Sequence, residues 1–340
     1  MELYLDSVDF KEIEAAFKWG ILSGLTTTPT FMHRHGITDI DGAIVKLSGM
    51  VPELQVEALG ETVEEIVKEA HRLLTLPLKS KPVFKIPISN HGVQACRMLA
   101  NEGHKVNIHL VYSLNQAYMA MIAGASYICP LAGRLHDQGQ DAFALYGQVV
   151  DVIKKYGFKS KVMVSSVRHP EHVRQGMLVG AHVCTAPWSV IKILNENALT
   201  ALGTSQFLEH TKLMTIHVKD IIRPHKSSVK VTETITDAML VMTESGLGAV
   251  SVVDKDDNLK GIFTDGDLRR HLKEGGKNTL QNKMSDLTYK AAVTINADAL
   301  LYDVVNLFKK HQVDSILVTE NNKPIGFVDI QDLVKMGLIG

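Results

Sequence analysis

A lysine at the end of an apolar run, with acids, a histidine and arginines at the ends of other such runs, has the makings of imine chemistry on a ketone or aldehyde. The lysine is Lys85, in Lys81-Pro-Val-Phe-Lys-Ile-Pro-Ile, with Pro87 just beyond it. Pointed inward it is poorly solvated, and desolvation disfavours the ammonium and favours the nucleophilic free amine. Such an amine condenses with a carbonyl; the alternative is a strand-end lysine reaching along the surface to water. Asp6 closes the first apolar run and either moves protons or caps the helix that follows. Thr26, Thr27 and Thr28 precede Pro29, where hydroxyls bind substrate or shape the turn. Gln55 and Glu57 alternate with apolar residues and so share one strand face, and Glu57 is an acid/base candidate if that face is interior. His109 ends another run and either shuttles protons near neutral pH or is structural. Arg134, Ser166 and Arg168 follow two later runs, where guanidinium forks and a hydroxyl suit a phosphate.

The elements that carry these residues alternate. Strand-like runs fall at Glu2–Asp6, 24–28, 54–58, 82–87, 105–110, 126–129, 161–165 and 182–186, with helical stretches between them. One such stretch, 61–74, opens with Thr62 and Glu65 at capping-box spacing and adds a Glu64/Lys68 pair one turn apart. Eight strand–helix units in about 215 residues predict an α/β fold closed into a (β/α)8 TIM barrel, with chemistry at the C-terminal ends of the strands. The competitor is an open doubly wound sheet, but no glycine-rich fingerprint follows the first strand.

After about residue 215 the pattern changes. Segments 229–261 and 293–326 read as two copies of a small unit: short strand, helix, apolar hairpin. Both close on Gly-x-x-x-x-x-Asp-Leu, at Gly261…Asp267-Leu268 and Gly326…Asp332-Leu333. One copy buries too little core to stand alone, so the two are expected to pack as a pair. The polar stretch Ile222-Arg-Pro-His-Lys-Ser-Ser reads as a linker.

Composition bounds the partners. The chain has 340 residues, 45% of them apolar, and a net charge of −1, which argues against nucleic acid and membrane surfaces as partners. No apolar run is long enough to cross a bilayer, and the start lacks a signal-like basic and apolar pair of segments. Three well-separated cysteines without Cys-x-x-Cys fit reduced thiols in a cytoplasmic protein. Fifteen histidines include no His-x-x-x-His or His/Cys cluster, so no metal site is expected.

Several motifs resemble the small transaldolase and fructose-6-phosphate aldolase family. They are L-Y-L-D with Asp6, G-L-T-T-T-P at 24–29, V-F-K-I-P with Lys85, G-A-S-Y-I-C-P-L-x-G-R at 124–134 with Asp137, and S-S-V-R-H-P-E-H-V at 165–173. The resemblance covers about residues 1–215. It implies a class I aldolase or transaldolase, with Lys85 as the Schiff-base nucleophile toward a phosphorylated ketose. Asp6 and Glu57 become proton-transfer residues, Arg134 and Ser166 phosphate ligands, Arg168 a further candidate, and Thr26, Thr28 and Gln55 substrate contacts. No metal or organic cofactor is implied. Three positions depart from the family: Thr28 stands for an asparagine, His109 for a threonine that positions a water, and Leu131 for a tyrosine or phenylalanine. Glu57 and His109 together are a replacement for that water relay. The rival reading is a barrel impaired in catalysis that serves as a nucleotide-sensing scaffold.

The C-terminal part, 216–340, resembles a tandem CBS (Bateman) pair, at about 218–275 and 284–338. The ending G-I-F-T-D-G-D-L implies that Thr264 and Asp267 meet the phosphate and ribose of an adenine nucleotide or sugar-nucleotide effector. The second copy keeps Asp332 but has Asp329 at the hydroxyl position, where a carboxylate repels phosphate, so one working nucleotide site is expected rather than two. Both resemblances imply a homo-oligomer.

Overall fold

The computed structural model describes residues 1–223 and 227–338. Part of the expected linker, 224–226, lies outside the described residues. By contacts the chain divides into two compact units, Met1–Glu196 and Asn197–Gly340.

The first unit is a closed barrel of eight strands in sequence order: β1 Glu2–Asp6, β2 Gly24–Thr26, β3 Leu54–Glu57, β4 Val83–Pro87, β5 Val106–Val111, β6 Tyr127–Pro130, β7 Lys161–Val164 and β8 Val183–Ala186. Every neighbouring pair is parallel, and β8 returns to β1 with Leu5 opposite Ala186. Parallel strands covered on both faces read as short apolar runs, which is why all eight were visible in the sequence. The helix Val63–Leu74 shows how the outer layer is set. Thr62 and Glu65 form the expected capping box, and Ile66, Val67, Ala70 and Leu73 are buried.

Side chains that point into the barrel follow the period of two along each strand. Tyr4, Val83, Tyr127, Cys129, Met163 and Val183 form an inner cluster. Below the site, the hydroxyls of Tyr4 and Tyr127 both donate to Glu53 Oε1, at 2.9 and 2.8 Å. Two residues further along their strands stand Asp6, Lys85, Ser165 and Thr185, which line a cavity at the C-terminal ends. The apolar layer is thus a plug, and the polar layer above it is the floor of a site. The three cysteines are free and buried, and burial pushes the Cys129 thiol up to about 11, so it stays protonated at neutral pH.

The second unit holds two three-stranded sheets of matching topology. In the first, β9 Ser228–Lys230 runs parallel to β10 Ala249–Val253, which pairs antiparallel with β11 Leu259–Thr264. In the second, β12 Thr294–Asn296, β13 Ser315–Glu320 and β14 Lys323–Asp329 repeat that arrangement. Leu247 and Ala249 of the first copy pack with Leu317 and Phe327 of the second, so the copies share a core as expected. The helix Ala198–Thr215 also belongs to this unit, since Leu213 and Ile216 pack against the second copy's core. By contacts the helix therefore groups with this unit, because it finds its apolar partners downstream. Among the described residues no helix is long and apolar enough to cross a membrane.

Candidate active site

β3 and β4 place Glu57 directly opposite Lys85, and β4 and β5 place Pro87 opposite His109. Three ionisable groups from adjacent strands therefore meet on the barrel floor. Lys85 is 5% exposed, and its Nζ lies 3.0 Å from Glu57 Oε1 and donates to the Thr27 carbonyl oxygen at 2.8 Å. The other carboxylate oxygen, Oε2, stands 2.9 Å from His109 Nε2. That pair is close without meeting hydrogen-bond geometry, since both atoms are buried with no hydrogen-bond partner.

The two carboxylates are pushed apart. Burial raises Asp6 above the usual carboxylate range, against the lowering pull of Lys85 and the Thr26 hydroxyl. Burial also acts to raise Glu57, but the His109 contact and the Lys85 charge outweigh it and hold Glu57 low. A neutral-leaning acid beside an ionised one is the division of labour expected of an acid/base pair. Asp6 Oδ1 accepts from Thr26 Oγ1 at 2.8 Å, and Thr26 Oγ1 in turn lies 2.6 Å from Thr185 Oγ1. His109 is pushed down by burial, which outweighs the raising effect of Glu57, so the imidazole is neutral and able to take a proton.

These directions fix the sign of one pH effect. A folded state that resists protonating His109 loses stability as pH falls below about 6.5, where the unfolded imidazole charges. Glu57, held low, adds to the loss once pH falls through its folded value, whereas the raised Asp6 acts oppositely, stabilising in acid and losing that as pH rises. The thermal midpoint should therefore fall on acidification from about pH 7 to about pH 5, more steeply in the native protein than in His109→Gln. Parallel curves for the two proteins would contradict the assignment.

The cavity above this floor measures about 590 Å³. Of the residues singled out in the sequence, Asp6, Thr26, Thr28, Glu57, Lys85, His109, Arg134, Ser166 and Arg168 all line it. Gln55 does not, which corrects the expectation of a substrate contact: it is fully buried, and its Oε1 accepts from Asn107 Nδ2 at 2.7 Å. Thr28 serves as the N-cap of the helix Pro29–Arg34, accepting from the Phe31 amide, so part of its capacity is already used. Arg168 is held by both oxygens of Asp137, whereas Arg134 makes one long bond to the Tyr112 hydroxyl at 3.4 Å. Arg134 is therefore the freer guanidinium for an anion.

Ser166 and Leu110, both on the cavity wall, have φ of 55° and 57°, a left-handed conformation that costs about 1–2 kcal/mol per non-glycine residue. Gly133 lies against this loop: a Cβ there would stand 2.5 Å from the Ser166 carbonyl oxygen and 2.6 Å from Arg168 Nε. The glycine lets the β6 and β7 loops close on each other.

Among the lining residues that escaped the sequence reading are Asn107 and Arg34. Asn107 lies two residues before His109 on β5, so the period of two was a signal that it shares the same inward face. Its Oδ1 is buried without a partner, an acceptor with nothing yet to accept. Arg34, at the end of the helix Pro29–Arg34, also lines the cavity; nothing in its sequence surroundings distinguished it.

In the second unit the residues expected to meet a nucleotide are engaged with each other. Thr264 caps the helix Asp265–Gly275, and its hydroxyl donates to Asp267 Oδ2 at 2.6 Å, while Arg270 holds the other oxygen. In the second copy, Arg223 grips Asp332 through two nitrogens at 2.8 and 3.0 Å and lies 3.9 Å from Asp329. Guanidinium and carboxylates there satisfy one another, as Arg270, Thr264 and Asp267 do in the first copy.

Comparison with known proteins matches residues 3–240 to the family described as Transaldolase/Fructose-6-phosphate aldolase, and residues 218–274 and 284–338 to the CBS domain. The overlap at 218–240 lies, by contacts, in the second unit. A probable transaldolase of Coprothermobacter proteolyticus is 36% identical over 208 residues, 61% of this chain and 95% of that protein. One of Dehalococcoides mccartyi is 33% identical over 216 residues, 62% of this chain and 98% of that protein.

Proposed function

This chain belongs to the transaldolase/fructose-6-phosphate aldolase family and carries a tandem pair of CBS domains, and on that premise we propose that its barrel is a class I aldolase or transaldolase acting on a phosphorylated ketose through an imine on Lys85. The observation that carries the reading is the contact chain Lys85–Glu57–His109 on the floor of an open cavity. Lys85 passes its proton to Glu57 and attacks the ketose carbonyl; the carbinolamine loses water to give the imine. A base then removes the proton of the hydroxyl on the second carbon from the imine carbon; the bond between that carbon and the one next to the imine breaks, the former leaves as an aldehyde, and the electron pair remains as the enamine on Lys85. His109, neutral and in contact with Glu57, is the base of that step, and Asp6, kept toward its protonated form, supplies and recovers the proton of the carbinolamine hydroxyl. Arg134 and Ser166 hold the phosphate, with Arg168 in support through Asp137, and Asn107 Oδ1 accepts a substrate hydroxyl in place of the asparagine that Thr28 has replaced. An adenine nucleotide or sugar nucleotide at Thr264 and Asp267 tunes activity or assembly of a homo-oligomer. Binding there costs the capping contacts that these residues make with each other.

The test is product analysis by NMR with ketose phosphates, alone and with an acceptor aldehyde phosphate. Cleavage or transfer of a carbon fragment supports the reading. Binding of nucleotide without turnover of any ketose would favour the scaffold instead.

A further inference from the structure

At the end of the barrel opposite the cavity, three side chains from separate segments converge. His71 lies in the last turn of the helix Val63–Leu74, Glu102 is the C-cap of the helix Asn90–Asn101, and His104 sits in the turn before β5. His71 Nε2 is 2.7 Å and His104 Nε2 3.5 Å from the same carboxylate oxygen, Glu102 Oε2. The three donor atoms all lie within 4.8 Å of one another. From these distances we propose that His71, Glu102 and His104 form a zinc site that clamps the two helices to the start of β5.

Two imidazoles and a carboxylate are a donor set that suits Zn²⁺. Ligands at about 2.0–2.2 Å from a tetrahedral ion stand roughly 3.3 Å apart. The His104–Glu102 separation is already near that value, and the His71–Glu102 contact need only open by a fraction of an ångström. Neighbouring packing fixes one ligand: the His104 ring stands edge-on to Phe84, centroids 5.7 Å apart. The side chains are between a quarter and a half exposed, so an ion has a path in and water can complete its coordination. The N-terminal end of such a barrel serves stability rather than chemistry, so the role assigned is a clamp. The sequence hid the set because a strand and a helix separate His71 from Glu102 and His104.

The experiment titrates the full chain, freed of metal by chelation, with zinc alone, following bound metal by calorimetry and stability by thermal unfolding. Expected is one tight zinc per chain and a rise of the midpoint by about 5 °C at saturating zinc. Both should be lost in His71→Ala and in Glu102→Gln, each with at least a tenfold weaker binding, and kept in His210→Ala, which removes an exposed histidine elsewhere. Cobalt in place of zinc should give a visible absorption spectrum in the native chain that is absent from the Glu102→Gln variant. Equal zinc binding by native and both variants, or no binding by the native chain, overturns the proposal. Since Lys85 lies at the other end of the barrel, aldolase activity should be unaffected by either variant.

Discussion

Lys85→Met should lower turnover by roughly 10⁴-fold or more, because it removes the nucleophile and leaves only binding and proton transfer to act on the ketose. Methionine is one atom shorter but keeps most of the apolar stem of the side chain, so the cavity floor is not emptied. It does, however, leave Glu57 as a buried carboxylate with only His109 beside it. Removing one partner of a buried pair costs about 3–5 kcal/mol, so the variant should also unfold at a lower temperature. Adding Glu57→Gln to Lys85→Met removes the stranded charge and should restore part of that stability without restoring turnover. Thermal unfolding and a steady-state assay of the four proteins in this cycle separate the two effects. Turnover within tenfold of native in Lys85→Met would end the imine mechanism.

His109→Ala should slow turnover by about 10²- to 10⁴-fold, the range of a lost general acid or base, while leaving imine formation intact. Lys85 keeps its contacts with Glu57 and Thr27 in that variant, so the amine stays positioned and can still be trapped by borohydride with substrate. Single-turnover measurements should show a rapid binding and imine phase followed by slow bond cleavage. Glu57→Gln removes the link between the two residues and should impair both phases. If His109→Ala turned over as fast as native, the histidine would be a wall of the cavity and not part of the proton path.

The residues that could be read from the sequence are those whose constraint is local. Each barrel strand is a short apolar run because both faces are covered, and each inward polar residue interrupts that run at its C-terminal end; Lys85 and Asp6 stood out for this reason. The capping box at Thr62 and Glu65 needs only a spacing of three, and it formed as read. What remained hidden depends on neighbours far away in the chain. The sequence put Gln55 and Glu57 on one face, which is right, but only the register of β3 against β4 and β5 sets Glu57 at the cavity and drops Gln55 beneath it against Asn107. The pairing of Arg168 with Asp137, which leaves Arg134 as the freer cation, joins the loop after β7 to the end of the helix Ala132–Asp137. That the helix Ala198–Thr215 groups by contacts with the second unit was not legible, because it carries no mark of which core its apolar residues will join.

The activity proposed for the barrel depends on a covalent bond between one side chain and a sugar. The most direct measurement is mass spectrometry of peptides from the native chain reduced with borohydride in the presence of a panel of ketose phosphates. The predicted result is a single adduct, of the mass of the reduced sugar or its three-carbon fragment, on the peptide bearing Lys85. No adduct with any ketose in the panel, or adducts spread over surface lysines and equally abundant in Lys85→Met, would contradict it.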